Sequence, residues 1–348
     1  MATFAHRHLL FWGTGHARFD AVDVAQARTD GATAVTALSA AQAMGVPSFI
    51  DHICPTRTAP EHFIDAGRFH RVAASTSLPT QPILGSLLNH QAYAAKLLRR
   101  FDEAAELVAQ ARRVLAADAP EVAHSYFILG TIALEKLVYE QAIHCFFAAL
   151  RIRQRQGDPR YIARCHRGLG TAYFAAADYT LAIEHTEKAV ALFTRLGDMS
   201  EKAVAEMNLG AMYLQTGEIT KALLRFRAGE PTLRKNADKV HLAMLYNNIG
   251  YGFQIQKEWS AARNAYQQSV AYWREVGDPE GLVNVLDGLG LVYTALGQPE
   301  TALQTFDAAL DSLVALQNEA KFAHYYQLLT EHRQQIRHNV MRSLASSP

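Results

Sequence analysis

An all-α protein, a right-handed α-solenoid of antiparallel helix pairs, is the fold that this sequence predicts. Three observations carry it. The dipeptides Leu129-Gly130, Leu169-Gly170, Leu209-Gly210, Ile249-Gly250 and Leu289-Gly290 recur at a constant spacing of 40 residues. A second small residue follows each glycine twelve positions later, as Ala142, Ala182, Ala222, Ala262 and Ala302. Between successive units stands a repeated stop and start signal: Gly157-Asp158-Pro159, Gly197-Asp198, Ala237-Asp238 and Gly277-Asp278-Pro279. A fixed period of this length marks stacked units, each of which buries its apolar face only against its neighbours.

Each unit divides into two helices. Around the Leu-Gly pair, aromatic residues stand three places after the glycine in Tyr173, Tyr213, Phe253 and Tyr293, a helical offset that defines helix A. A turn is expected near Gly217 and Gly297. Helix B then opens close to the second small residue. Sixteen places after the glycine come Phe146, Phe226, Tyr266 and Phe306, and nineteen after it come Ala149, Ala189, Gly229, Ser269 and Ala309. At the unit boundaries glycine ends helix B and aspartate caps the next helix A. In the fourth unit Pro231 falls inside helix B, where it removes a backbone hydrogen bond and is expected to kink or split the helix.

These residues resemble the tetratricopeptide repeat family, whose helix pairs carry large-Leu-Gly-x-x-Tyr in helix A and Ala-x-x-x-Phe-x-x-Ala in helix B. The resemblance implies a superhelix in which the small residues are helix contacts, so that Gly130, Gly170, Gly210, Gly250 and Gly290 admit helix B of their own unit. The family's usual period is 34. Six further residues add roughly 9 Å of helix to each unit, and such long repeats look like those of maltose-regulator-type sensor arrays, aspartate-phosphatase regulators and kinesin light chains.

Six units are expected, at 85–122, 123–162, 163–202, 203–242, 243–282 and 283–320, the first resting on Ala92, Phe101, Ala104, Val108 and Ala111. A capping helix is expected over 321–338 and a frayed tail over 339–348. Residues 1–84 read as a divergent, mostly helical region. It holds a helix at 32–45 whose Ala34, Leu38 and Ala41 suit a degenerate repeat, and loops at 54–60 and 75–82.

Composition narrows the function classes. With 34 basic against 33 acidic side chains and a net charge of +1, no general field draws the chain to nucleic acid or to an anionic membrane. The early apolar run at residues 8–13 is too short to span a bilayer. Three cysteines are too few for a disulfide framework, which fits a cytoplasmic protein. No nucleotide loop, zinc-protease motif or nucleophile elbow is present, so neither an enzyme nor a cofactor is expected. His52, Cys54, His62 and His70 have no compact zinc spacing. The pairs His144-Cys145 and Cys165-His166 place neighbouring residues about 100° apart on a helix, so at most one of each pair can face a shared ion, and no metal site is expected. Residues 38–53 have a helix-turn-helix spacing but put Asp51 where an aliphatic residue is needed.

The resemblance also implies where a partner binds. Helix A lines the concave groove, through positions six, three and two before the Leu-Gly glycine and one, four and five after it. This assigns Arg164, Arg167, Met207, Asn208, Met244, Asn247, Asn248, Tyr251, Gln254, Asn284 and Asp287 to the groove. Gly168 and Gly288 fall in the same set and are expected to leave floor space. Asn208 and Asn248 match an asparagine ladder that kinesin-light-chain-like repeats use to hold an extended peptide, although the same residues also suit plain solvated positions. Arg164 and Arg167, one turn apart, suit a carboxylate or phosphate, or partner acids within the chain. The expected function is a scaffold or adaptor for a protein or peptide, with an effector-sensing module of a bacterial regulator as the alternative. Self-association through the N-terminal side is a further expectation.

Overall fold

The protein is described by a computed structural model that covers residues 80–314 and 319–345. The helix expected at 32–45, the expected loops at 54–60 and 75–82, the helix-turn-helix spacing of 38–53 and the His52, Cys54, His62 and His70 group lie outside the described residues. Among the described residues every regular element is an α-helix. None is long and apolar enough to cross a membrane.

The described chain falls into two compact units, 80–198 and 199–345. The first contains α1 (Thr80–Leu97), α2 (Phe101–Val114), α3 (Pro120–Glu135), α4 (Tyr139–Gln156), α5 (Pro159–Ala175) and α6 (Tyr179–Leu196). The second contains α7 (Met199–Gln215), α8 (Ile219–Lys235), α9 (Lys239–Ile255), α10 (Trp259–Val276), α11 (Pro279–Ala295), α12 (Pro299–Val314) and α13 (Glu319–Ala345). In each unit odd-numbered helices pack on the even-numbered helix that follows, and pairs stack on pairs, so both units are stretches of α-solenoid.

The small residues behave as contacts. Ala142, Ala182, Ala222, Ala262 and Ala302 are wholly buried. A β-carbon added at Gly210 would stand 2.5 Å from the Phe226 ring, and one at Gly290 would stand 2.6 Å from Phe306. At Gly170 it would meet the Thr186 hydroxyl at 2.1 Å and the Ala182 carbonyl oxygen at 3.1 Å. All of these atoms belong to helix B of the same pair. The helix penalty of glycine, about 1 kcal/mol against alanine, is therefore offset by close packing of the pair.

Both kinds of turn keep the period. The turn from helix A to helix B passes through a left-handed residue at Leu137, Ala177, Gly217, Lys257 and Gly297, and the turn from B to A does so at Gly157, Gly197, Ala237 and Gly277. Asp158, Asp238 and Asp278 then cap α5, α9 and α11 by accepting from backbone N–H groups two or three residues on. Asp198, at the equivalent place before α7, forms an ion pair with Arg160 at 3.4 Å.

Helix α8 runs unbroken through Pro231, so the proline does not split it. A side-chain network spans the position. The Arg234 guanidinium donates to Glu230 at 2.8 Å, to Tyr272 of α10 at 3.3 Å and to Tyr246 of α9, and the Tyr246 hydroxyl donates to Glu230. Burial, together with the Glu230 carboxylate, pushes the Tyr246 hydroxyl up to about 12. The last helix, α13, extends past His338 to Ala345, since no glycine or proline interrupts its sequence.

Candidate functional site

In the second unit α7 packs against α9, and α9 against α11. The positions assigned to the groove fall at equivalent places on these helices: Met207 and Asn208 on α7, Met244, Asn247, Asn248, Tyr251 and Gln254 on α9, Asn284 and Asp287 on α11. All but the half-buried Gln254 are buried. Asn208 is 1% exposed, and Met207, Met244 and Asn248 are fully enclosed. Along α7 every residue from Ala203 to Leu214 is buried.

Asn208 and Asn248 stand one repeat apart in the same register, and in both the side-chain nitrogen and oxygen are buried without a hydrogen-bond partner. A buried amide without partners costs about 1–3 kcal/mol. Such groups are rare in folded proteins and call for an explanation at each site. The first unit shows how the same residue type looks when it serves the fold. Asn89 on α1 is wholly buried, donates to the Glu121 carbonyl at 2.8 Å and accepts from the Ser125 hydroxyl at 2.7 Å, which joins α1 to α3.

Two other expected groove residues are already engaged. The Tyr266 hydroxyl of α10 donates to Gln254 Oε1 at 2.7 Å. Asp287 pairs with His332 of α13 at 2.9 Å. Burial alone would lower the His332 pKa, but the hydrogen bond and charge of Asp287 outweigh it and raise it.

The glycines expected on the groove floor do something else. A β-carbon at Gly168 would lie 2.8 Å from the Phe146 ring of α4, and one at Gly288 would lie 2.8 Å from the Tyr266 ring of α10. The space they leave is filled by an aromatic ring of the preceding helix B. They are packing glycines, and the floor-space expectation is corrected accordingly.

Arg164 and Arg167 belong to the first unit, on α5, and both are buried. Arg164 lies over the Tyr161 ring at 5.9 Å, and Arg153 lies over the same ring at 4.1 Å. Beside them is a cluster that sequence reading missed. His166 Nδ1 of α5 and His185 Nδ1 of α6 share a hydrogen bond at 2.9 Å, with His185 stacked on Tyr173 at 5.5 Å and edge-on to Phe147 at 5.7 Å. Burial, with the neighbouring His185 next, pushes His166 down to about 4, and burial also lowers His185. Both rings are therefore neutral near pH 7. The absence of an aromatic at Thr186, where other units carry Phe or Tyr, was the signal that this helix pair packs differently.

Cys145 and Cys165 are buried free thiols, and burial raises both, Cys165 to about 12. They are packing residues with little thiolate character. Among the described residues no group of three or more His, Cys, Asp or Glu side chains is arranged to hold a metal ion.

The repeat geometry and the sequence of its contacts agree with a known family. Residues 121–195 and 241–313 match the family model described as tetratricopeptide repeat. Within those residues the helix pairs match tetratricopeptide repeats. Solved structures share this fold at low identity. The apo quorum sensor NprR from B. thuringiensis is 16% identical, with 77% of this chain and 75% of that chain covered at a TM-score of 0.63. A Rap protein complexed with the Competence and Sporulation Factor is 12% identical, with 80% of each chain covered and the same TM-score. BtubC from P. vanneervenii is 19% identical, with 70% of this chain and 93% of that chain covered at a TM-score of 0.52.

Proposed function

We propose that this tetratricopeptide-repeat chain is a cytoplasmic interaction scaffold, not a catalyst, and that its second unit takes an extended peptide segment against α7 and α9. The observation that carries the reading is the pair Asn208 and Asn248, each with both amide atoms buried and unmatched, in register one repeat apart. Asparagine offers one acceptor and two donors, the complement of a peptide N–H and C=O. An extended segment laid across successive helices presents those groups in order. Two similar folds support the class of ligand: NprR has been solved with its cognate peptide NprX, and a Rap protein with the Competence and Sporulation Factor.

The amides are covered, so a segment reaches them only when this face opens, and binding is coupled to that opening. The other residues assigned to the groove on α7 and α9, Met207, Met244, Asn247, Tyr251 and Gln254, are uncharged, which suits a partner without strong charge. Arg164 and Arg167, in the first unit, supply positive charge suited to a carboxylate or phosphate there.

The test separates structural from recognition asparagines. Replacing Asn208 and Asn248 together by Leu is expected to leave the melting temperature unchanged or raised, because a buried unmatched amide is exchanged for an apolar group of similar size. Peptides selected from a random phage-displayed library on the wild type are expected to bind the double variant at least tenfold more weakly. A clearly lowered melting temperature, or peptides that bind both proteins equally, would remove the reading.

A further inference from the structure

We infer that one face of α9, the face of Met244, Asn247 and Tyr251, is covered by the chain's own N-terminal segment, the apolar run at residues 8–13, which keeps the site closed until a partner displaces it. This rests on the peptide reading above for the site concerned and adds what occupies it beforehand.

Two equivalent helices in different units carry the inference. α3 packs on α1, α2, α4 and α5, and α9 packs on α7, α8, α10 and α11, so each has the same four neighbours in the repeat. On α3 the side chains of His124, Phe127 and Thr131 share one helical face and stay half-buried. Three repeats later their equivalents on α9 are under cover: Met244 is 0% exposed, Asn247 1% and Tyr251 4%. Size does not explain the difference, because Tyr251 is larger than Thr131 and less exposed. The helix neighbours match, so a further element lies over α9.

No other chain is present, so that element belongs to this one. Among the described helices only the four neighbours pack on α9 beyond an isolated contact. Outside the described residues lie 1–79, 315–318 and 346–348, and the last two are too short to cover two turns of helix. Within 1–79, Leu9, Leu10, Phe11 and Trp12 are consecutive. A helix spreads four consecutive side chains around its circumference and a strand sends them to both faces, so neither buries all four against one surface. A groove walled by helices does. By contrast, residues 32–45 read as a helix, whose backbone bonds are already internal. The run 8–13 holds no Asp, Glu, Lys or Arg, and the residues it would meet on α9 are uncharged as well.

The cover seals the site without completing it. Both amide atoms of Asn248, and of Asn208 on α7, are buried with no hydrogen-bond partner. Tethering compensates, since it raises the local concentration of a segment to about millimolar for short tethers and less for longer ones. A peptide that bonds the amides gains what the cover forgoes, and so displaces it.

Hydroxyl-radical footprinting of the full chain tests this, because Met and Tyr side chains are oxidised where solvent reaches them. In the chain carrying Phe11→Asp and Trp12→Asp, oxidation of Met244 and Tyr251 is expected to rise at least fivefold, while Met212 and Tyr266, buried between helices, stay protected. Phage-selected peptides are expected to bind this variant at least tenfold more tightly than the wild type, and a synthetic peptide of residues 4–16 in excess should restore protection. Trp12→Ala should shift both readouts in the same direction by less, and it carries the test if the double variant loses helicity by circular dichroism. Unchanged oxidation of Met244 and Tyr251 in a folded variant would overturn the inference, and the peptide reading would stand if selected peptides still required Asn208 and Asn248. Raised oxidation without tighter peptide binding would overturn the competition. Raised oxidation with peptides indifferent to the asparagines would leave the cover and remove the peptide reading.

Discussion

Asn89 in the first unit and Asn248 in the second are both wholly buried asparagines on an odd-numbered helix, yet they are held in opposite ways. Asn89 closes a hydrogen-bonded link from α1 to α3 through Glu121 and Ser125. Asn248, like Asn208, buries both amide atoms without a partner. The histidines differ in the kind of partner the fold supplies. His166 and His185 of the first unit are neutral and bonded to each other, while His332 of the second leans on a carboxylate. Identical repeat geometry therefore hosts side chains that complete the fold in one place and side chains whose partners are not supplied by the fold in another. Burial alone does not distinguish them; the hydrogen-bond partners do.

The largest expected effect comes from acid acting on the first unit. His166 has a folded pKa of about 4 against an ordinary value of 6.5, and His185 is lowered too. The unfolded chain takes up protons in that window and the folded one does not. The stability this gives is complete above the unfolded value and is lost as pH falls toward the folded one, by about 2–3 kcal/mol for His166 once the screening of a partly exposed ring is allowed for. Hydrogen exchange of α5 and α6 between pH 7 and pH 4 should show the loss. His166→Phe should remove most of the pH dependence, and an unchanged profile would refute the neutral pair.

Next comes the asparagine contrast itself. Asn89→Leu removes the two hydrogen bonds that tie α1 to the Ser125 hydroxyl and the Glu121 carbonyl of α3 and is expected to cost about 2 kcal/mol, whereas Asn248→Leu is expected to be neutral or stabilising. Denaturant melts of the two variants measure it. Equal losses would mean that Asn248 is structural.

A smaller effect, of about 1 kcal/mol and of opposite sign, is expected at a turn. Leu137 is 69% exposed and sits at a φ of 61°, in the left-handed region that the equivalent Gly217 and Gly297 occupy freely. Leu137→Gly relieves the strain of a branched residue there and should raise the denaturation midpoint of the first unit, offset in part by glycine's greater freedom when unfolded.

The fold was legible because its determinants are periodic. Five glycines and five alanines at one spacing encode the approach of helix to helix, and the structure puts each alanine wholly out of solvent. The candidate site was legible only as positions. Helical register places Asn208 and Asn248 at equivalent points, but whether each amide finds a partner depends on side chains from other helices, which no spacing rule identifies. Gly168 and Gly288 illustrate the limit. Their register pointed to a groove floor, and the rings of Phe146 and Tyr266, which reach them from the preceding helix B, decided otherwise. His185 was missed for the same reason, since its partner lies nineteen residues away on another helix.

The smallest expected effect tests the end of the second unit. His332 of α13 pairs with Asp287 at 2.9 Å, lies beside Phe306, and shares its surroundings with Glu331 and with an Arg333–Asp307 ion pair of 2.7 Å. Its folded pKa is raised, so the folded chain holds a proton that the unfolded chain releases near 6.5. The pair's stabilisation is therefore fully present below pH 6.5 and is lost as pH rises through the raised value, the reverse of the His166 response. A partly exposed pair of this kind contributes about 0.5 kcal/mol. Protection of α13 amides from exchange, corrected for the intrinsic pH dependence, should fall by about twofold between pH 6 and pH 9. His332→Gln retains a donor to Asp287 but no titration, and its protection should be flat across that range. If α13 in the wild type instead gains protection on alkalinisation, then Asp287 is not what holds the last helix, and its carboxylate returns to the set available for a ligand.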